Sequence, residues 1–472
     1  MTYQLRGYQS DLLDRAQQSW DAGNRRVMLQ LATGGGKTIC FAHIVQMFAA
    51  TEQTALVLAH REELIKQAAD KITAITGIEP GIIKAGHKAD YSRSIQVASI
   101  QSLIRRLKHC PHPDLIVVDE AHHSTANSYR QVLSNFPQSY ILGVTATPIR
   151  LDGSGFRGLF DELVCGVTVR ELIEMGSLSP FKYFAPDRSM SLVDVRKRGG
   201  DYSAESIENA NPSESVAADC LKAYGDYLEG KQVVIFAVSV AHSQAIACSF
   251  SACGIPAAHL DGNSDSDVRS QTMAAFREGR IRVLTNCALF DEGLDIPGLD
   301  GVILARPTAS LGRYLQMVGR ALRPDPNKEY ARIIDLAGNW ERHGLPDDDR
   351  LWSLDGVDSV QRGKTKKLQR NADGEIEEIT IDLTPSNIQL QEINRAHSIT
   401  LDRTELDQWE DKFKRLVWEQ QLHDRKPASL IYRLREIKPP LEVWKMLEKH
   451  LGYKRGWSGH EFKRQQEAQE VA

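Results

Sequence analysis

No two of the seven cysteines (Cys40, Cys110, Cys165, Cys220, Cys248, Cys253, Cys287) form a C-x-x-C pair, and most lie inside apolar segments. That pattern excludes a disulfide framework and fits reduced, buried thiols in a cytoplasmic protein. The cluster His109-Cys110-Pro111-His112, with His122 and His123 further along, lacks the second tight ligand pair that a zinc site needs. Long hydrophobic runs are also missing. The longest follows Lys37 and is broken by His43 and Gln46, and no apolar stretch follows a basic N-terminal segment. Neither a membrane span nor a signal peptide is expected. Charge of one sign is not in excess either: 58 Lys and Arg stand against 62 Asp and Glu, a net −4. The chain as a whole therefore does not advertise a polyanion binder. Between Asp411 and Arg464, however, fourteen basic residues face seven acidic ones, so any nucleic-acid affinity of the tail would be local.

What is present begins with length. A chain of 472 residues is too long for one ordinary core, and 42% hydrophobic with 25% charged residues is the balance of a globular protein of several domains. The most informative stretch is Leu31-Ala32-Thr33-Gly34-Gly35-Gly36-Lys37-Thr38, between an apolar run from Val27 and an apolar helical segment reaching about Ala50. A strand that turns through three glycines into a helix N-terminus aims backbone N–H groups into one concavity that fits a polyphosphate. Lys37 would reach the β- and γ-phosphates, and the Thr38 hydroxyl would help to hold Mg²⁺. The usual first glycine of such a loop is replaced by Leu31.

Upstream, Leu5-Arg6-Gly7-Tyr8-Gln9 opens an amphipathic helix with Leu12, Leu13, Ala16 and Trp20 on one face. It is either an ordinary helix start or a base-reading element in which the Gln9 amide pairs with the N6/N7 edge of adenine. Apolar strands are expected at Thr54 to Ala59, Ile95 to Ser99, Leu115 to Val118 and Tyr140 to Val144. Strands that are apolar throughout and alternate with helices argue for a parallel sheet covered on both faces. Leu115 to Val118 delivers Asp119 and Glu120. In an NTP site Asp119 would hold the metal and Glu120 would orient the attacking water.

From about Ser179 to Ser215 the pattern becomes polar, with a basic run at Arg196-Lys197-Arg198, and reads as an inter-domain linker. A second α/β alternation follows, with strands at Val233 to Val238, Ala257 to Leu260, Ile281 to Thr285, Val302 to Ala305 and Arg332 to Leu336. It has no glycine-rich lysine loop. It carries Gln316 to Arg323, where Arg320 and Arg323 are spaced to share a helical face. They read either as a γ-phosphate clamp acting from across a cleft or as a helix-end arginine pair. Beyond Arg342 lie an acidic stretch, a charged segment, and Trp409, Trp418, Trp444 and Trp457 among basic residues, expected to build a small helical domain.

Together these residues resemble the superfamily 2 helicases and translocases over about Leu5 to Asn339. Leu5 to Gln9 is similar to the Q motif, and Ala32 to Thr38 to motif I in a form lacking the first glycine. Arg61 falls in motif Ia, Asp119 to His122 is a DEAH box and Thr145 to Pro148 resembles motif III. Ile235 to Ser239 resembles motif IV, Thr285 through Gly293 and Asp295 motif V, and Gln316 to Arg323 motif VI. The look is that of bacterial and phage DEAD/DEAH-type helicases related to RadD, XPB and restriction-enzyme motor subunits.

The resemblance implies two tandem RecA-like parallel-sheet domains and a small, mainly helical C-terminal domain. The boundaries are 1–178, a linker at 179–215, 216–342, a charged connection at 343–400, and 401–472. It implies ATP and Mg²⁺ as ligands. Arg6, Gln9, Thr33, Gly34, Gly35, Gly36, Lys37, Thr38, Gly293 and Asp295 would face the nucleotide, and Asp119, Glu120, Gln316, Arg320 and Arg323 would serve catalysis. His122, Thr145 and Thr147 would couple the cleft to a nucleic-acid groove at Arg61, Ser99, Gln101, Ser239 and Thr285. DNA is favoured over RNA as the track, and the tail is a candidate site for a protein partner. The expected activity is that of an ATP-dependent helicase. A double-strand translocase that never separates strands and an ATP-gated binding clamp are the alternatives.

Overall fold

The structure, a computed structural model, describes residues 3–60, 62–124, 127–150, 155–186, 189–287, 299–350, 352–355 and 390–393. The expected helical C-terminal domain, most of the charged connection, and Arg61, Gly293 and Asp295 lie outside the described residues.

Seven strands form the first sheet: β1 (Arg26–Gln30), β2 (Ala55–Ala59), β3 (Gly81–Ile83), β4 (Ile95–Ser99), β5 (Leu115–Asp119), β6 (Tyr140–Thr145) and β7 (Glu162–Cys165). Their order is β3-β4-β2-β5-β6-β1-β7, and every pairing is parallel. β2 and β5 are buried along their whole length because helices cover both faces, which is why their sequences read as unbroken apolar runs. On one face Leu12, Phe41, Val45 and Ile72 of three helices pack against Leu29, Val57 and Val117. On the other, Leu103, Tyr129 and Val132 pack against Met28, Leu56 and Val118. Each such side chain contributes about 1.5–3 kcal/mol through its removal from water.

Register brings the important ends together. Gln30 pairs with Thr145, and Asp119 pairs with Val144, so the loop after β1 and the residues after β5 and β6 emerge side by side at the carboxyl edge. Ligands of open α/β sheets bind at that edge.

The segment read as a linker contributes to a second sheet. β8 (Phe181–Pro186) lies within it, followed by a two-stranded ribbon of β9 (Lys197–Arg198) and β10 (Asp201–Tyr202). Then come β11 (Val233–Ala237), β12 (Ala257–Leu260), β13 (Val283–Asn286), β14 (Gly301–Ala305), β15 (Ala331–Asp335) and β16 (Leu390–Ile393). The order is β12-β13-β11-β14-β15-β8-β16, parallel except for the antiparallel edge strand β16. β8 belongs here because Tyr183, Phe184 and Ala185 are buried against a sheet whose other parallel strands come later in the chain. Its Tyr183 hydroxyl donates to the buried Asp335 carboxylate at 2.9 Å, which also accepts the Trp340 N–H at 2.9 Å. Among the described residues no helix is long and apolar enough to cross a membrane.

Candidate active site between the lobes

The phosphate-type loop follows directly from β1. Leu31 is fully buried and its N–H donates to the Thr145 carbonyl at 3.0 Å, so the loop is tied to the end of β6. Gly34 and Gly36 have φ of 86° and 91°, a left-handed backbone that L-residues avoid, and Gly36 caps the helix Lys37–Ala50. A Cβ on Gly35 would come within 2.8 Å of Leu31 and 3.1 Å of the Ala32 carbonyl. The apolar body of Leu31 thus fills space beneath the loop, at the position where the usual pattern has a glycine.

Gln9 packs against the loop. It is buried, its Nε2 donates to the Gly35 carbonyl at 3.0 Å, and its Oε1 accepts the Arg6 N–H at 2.9 Å. The Tyr8 hydroxyl donates to the same Gly35 carbonyl at 2.9 Å, a role the sequence pattern does not signal. The N-terminal element therefore grips the loop backbone. Arg6 itself is exposed at the helix start.

β5 carries the carboxylates to the loop. Asp119 is buried, and its Oδ1 accepts the Glu120 N–H at 3.0 Å. Burial pushes its carboxyl well above the usual carboxylate range; the charge of Glu120 adds to this and that of Lys37 opposes it. A carboxylate held this way gains strongly from a divalent cation, and Thr38 opens the adjacent helix, so the residues present fit Mg²⁺. Glu120 is left-handed, with φ 48° and ψ 56°, on the sharp turn after β5. His122 Nδ1 lies 3.4 Å from the Glu120 carboxylate and 3.2 Å from the Thr145 hydroxyl. Thr145 in turn donates to the Thr147 carbonyl and accepts the Thr147 N–H, both at 3.1 Å. The acid turn and the end of β6 form one connected network.

The second lobe reaches the loop through the turn after the helix Leu311–Gly319. That helix ends at Gly319, sooner than its apolar pattern suggests, so Arg320 and Arg323 lie on the turn and not along one helical face. The turn is held by Lys328, whose ammonium donates to the Leu299 carbonyl at 2.9 Å, the Ala321 carbonyl at 2.8 Å and the Arg323 carbonyl. Arg323 precedes Pro324, which disfavours further helix. A Cβ on Gly319 would meet Thr33, and one on Gly34 would lie 4.0 Å from Arg323 Cγ. Gln316 and Arg320 are buried on this side. Ala32 joins the second lobe's apolar cluster with Leu178, Met317 and Leu322.

The candidate nucleic-acid residues are disposed less uniformly. The Ser99 hydroxyl donates to Gln101 Oε1 at 2.7 Å at the end of β4. Ser239 caps the helix Val240–Ala252 and also donates to the Glu208 carboxylate. Thr285 is fully buried, its hydroxyl donating to the Ser243 carbonyl at 2.8 Å, so it presents no polar atom to a groove.

A loop built for polyphosphate, a carboxylate pair and an arginine turn, brought together by two parallel-sheet lobes, define a two-lobed ATPase. Known proteins agree. Residues 2–150 match the family of the type III restriction enzyme res subunit, and 216–325 match the helicase conserved C-terminal domain. A 51.5 kDa protein of a Lactococcus phage is 33% identical over 344 residues, covering 73% of this chain and 72% of the phage protein. A Saccharomyces cerevisiae protein named as an ATP-dependent helicase, IRC3, is 32% identical over 354 residues, 71% of this chain and 51% of its own length. The DNA 3'-5' translocase XPB2 of Sulfurisphaera tokodaii is 25% identical over 363 residues, 68% of this chain and 79% of XPB2. The fold is shared with a fragment named as an HsdR subunit of a type I restriction enzyme from Vibrio vulnificus. Its TM-score is 0.58 at 24% identity, and the match covers 74% of this chain and 67% of the fragment. The chain belongs to the superfamily 2 helicases, with two RecA-like lobes, and its enzyme class is that of the nucleic-acid-dependent ATPases.

Proposed function

We propose that this protein is an ATP-driven DNA motor that hydrolyses ATP between its two lobes. The observation that carries the reading is the approach of Gly319 and Arg323 in one lobe to Thr33 and Gly34 in the other. Lys37 and the loop N–H groups hold the phosphates, and Asp119 with Thr38 would hold Mg²⁺, which screens phosphate charge when bound. Glu120 orients the water and takes its proton, steadied by His122. Arg320 and Arg323 meet the charge that develops on the γ-phosphate. DNA is favoured as the track by the XPB2 relative and the restriction-enzyme resemblances.

Movement along a duplex without strand separation is a second reading, favoured by the same relatives. ATP hydrolysis measured without nucleic acid, then with single-stranded DNA, duplex DNA and RNA, tests the proposal, with Lys37→Ala as the blank. Stimulation by DNA supports it; stimulation by RNA alone, or by none of them, overturns it. Displacement of a labelled strand, against displacement of a third, triplex-forming strand, separates helicase from translocase.

A further inference from the structure

The basic run Arg196-Lys197-Arg198 forms one arm of a hairpin and is exposed along its length. Lys197 pairs with Tyr202 and Arg198 with Asp201 across Gly199-Gly200, whose φ values of 62° and 90° suit a tight two-residue turn. A ribbon this short does not hold its shape alone. Here the end beside the turn is fixed by one buried carboxylate. Asp201 accepts from the Thr308 hydroxyl at 2.9 Å, from the Ala309 N–H at 2.6 Å and from the Arg313 guanidinium. Arg313 belongs to the helix that carries Gln316 and ends at the arginine turn. The chain then runs into the helix Ala204–Ala210, whose Glu208 accepts from Ser239 beyond β11.

The hairpin therefore stands on the carboxyl edge of the second sheet, over the ends of β11 and β14. Its turn end is anchored near Gly312, where a Cβ would come within 2.9 Å of Thr147 in the other lobe. Three cations on a rigid two-stranded mount, at the edge where such sheets bind ligands, suit a regularly spaced polyanion better than a single small anion.

We infer that the hairpin at residues 196–202 is a nucleic-acid contact in which Arg196, Lys197 and Arg198 bind backbone phosphates, and that Asp201 makes it move with the arginine-bearing helix. The inference rests on the DNA-motor reading. Binding of this kind carries no sequence preference, since it is directed to phosphates.

The test uses the full chain and labelled single-stranded and duplex DNA across a salt series, with wild type, Lys197→Ala, Arg198→Ala and the triple Arg196→Ala/Lys197→Ala/Arg198→Ala. Each cation removed from a phosphate should flatten the slope of log affinity against log salt by about 0.7–0.9. The triple variant is expected to show a slope shallower by about three such steps and to bind about tenfold to a hundredfold more weakly. Its DNA-free ATPase rate should stay at the wild-type level while the DNA concentration for half-maximal stimulation rises. Wild-type slope and affinity in the triple variant overturn the inference and leave the motor reading intact. A wild-type chain that binds no DNA overturns both.

Discussion

A Cβ atom on Gly319 would lie 2.7 Å from both Cβ and Cγ2 of Thr33. Gly319 ends the helix that precedes the arginine turn, and Thr33 lies in the phosphate loop of the other lobe, so the two lobes meet with no room for a methyl group between them. Gly319→Ala should hold the lobes apart by a few tenths of an ångström or more where the arginines must reach. Overpacking of this kind costs about 1–3 kcal/mol, which predicts a fall in turnover of about tenfold. Binding of a fluorescent ATP analogue should change little. Unchanged steady-state phosphate release in a folded variant would mean that this contact is not part of the working closure.

Glu120→Gln keeps the shape of the turn but removes the base. Loss of a positioned general base costs about 10²–10⁴-fold, so phosphate release should drop by that order while ATP affinity is retained or tightened. Lys37→Ala should instead lose nucleotide binding itself. Equal loss of binding in both variants, measured by equilibrium titration, would show that Glu120 acts on binding and not on the water.

Much of this arrangement was legible in the chain itself. β2 and β5 are buried on both sides, and their unbroken apolar runs read as strands of a covered parallel sheet; the glycines, the acidic pair and the arginines could be read by their chemistry. β8 was not legible as part of the second lobe. Phe181 to Pro186 carries an acceptable strand pattern, but its partner Ala331–Asp335 lies about 150 residues later, and a local pattern does not name a distant partner. Gln9 shows another limit. An amide pairs equally well with a base edge or with a backbone carbonyl, and the sequence does not name the Gly35 carbonyl that it holds. Lys328 and Asp201 went unread because a lone charge in sequence does not reveal the carbonyls or hydroxyls that surround it.

Lys328 offers a test of positioning. Its ammonium is partly buried among three carbonyls of and beside the arginine turn, and that burial lowers its pKa to about 8. Lys328→Met should leave those carbonyls without their donor and loosen Arg320 and Arg323 without touching nucleotide. The expected signature is a lower kcat at an unchanged KM for ATP, with partial rescue by Lys328→Arg. A change confined to thermal stability would make the lysine purely structural.

His343 predicts a dependence on acid. Its Nε2 donates to the Thr308 carbonyl at 2.9 Å and its ring stacks on Tyr314, with centroids 5.4 Å apart. Burial lowers its pKa to about 4, and Arg342 and Arg350 push the same way while Asp201 opposes them. The native ring thus refuses a proton that the unfolded chain accepts near the ordinary value of 6.5. The stability contributed is complete above that value and is lost as pH falls from there towards 4. The ring retains some exposed surface, so the loss between about pH 7 and about pH 5 should reach at most about 2 kcal/mol. His343→Gln keeps a donor for the Thr308 carbonyl and cannot titrate, so its stability should fall less across that window. Denaturant midpoints of the two proteins at both pH values decide the matter: parallel falls would place the acid sensitivity on other groups.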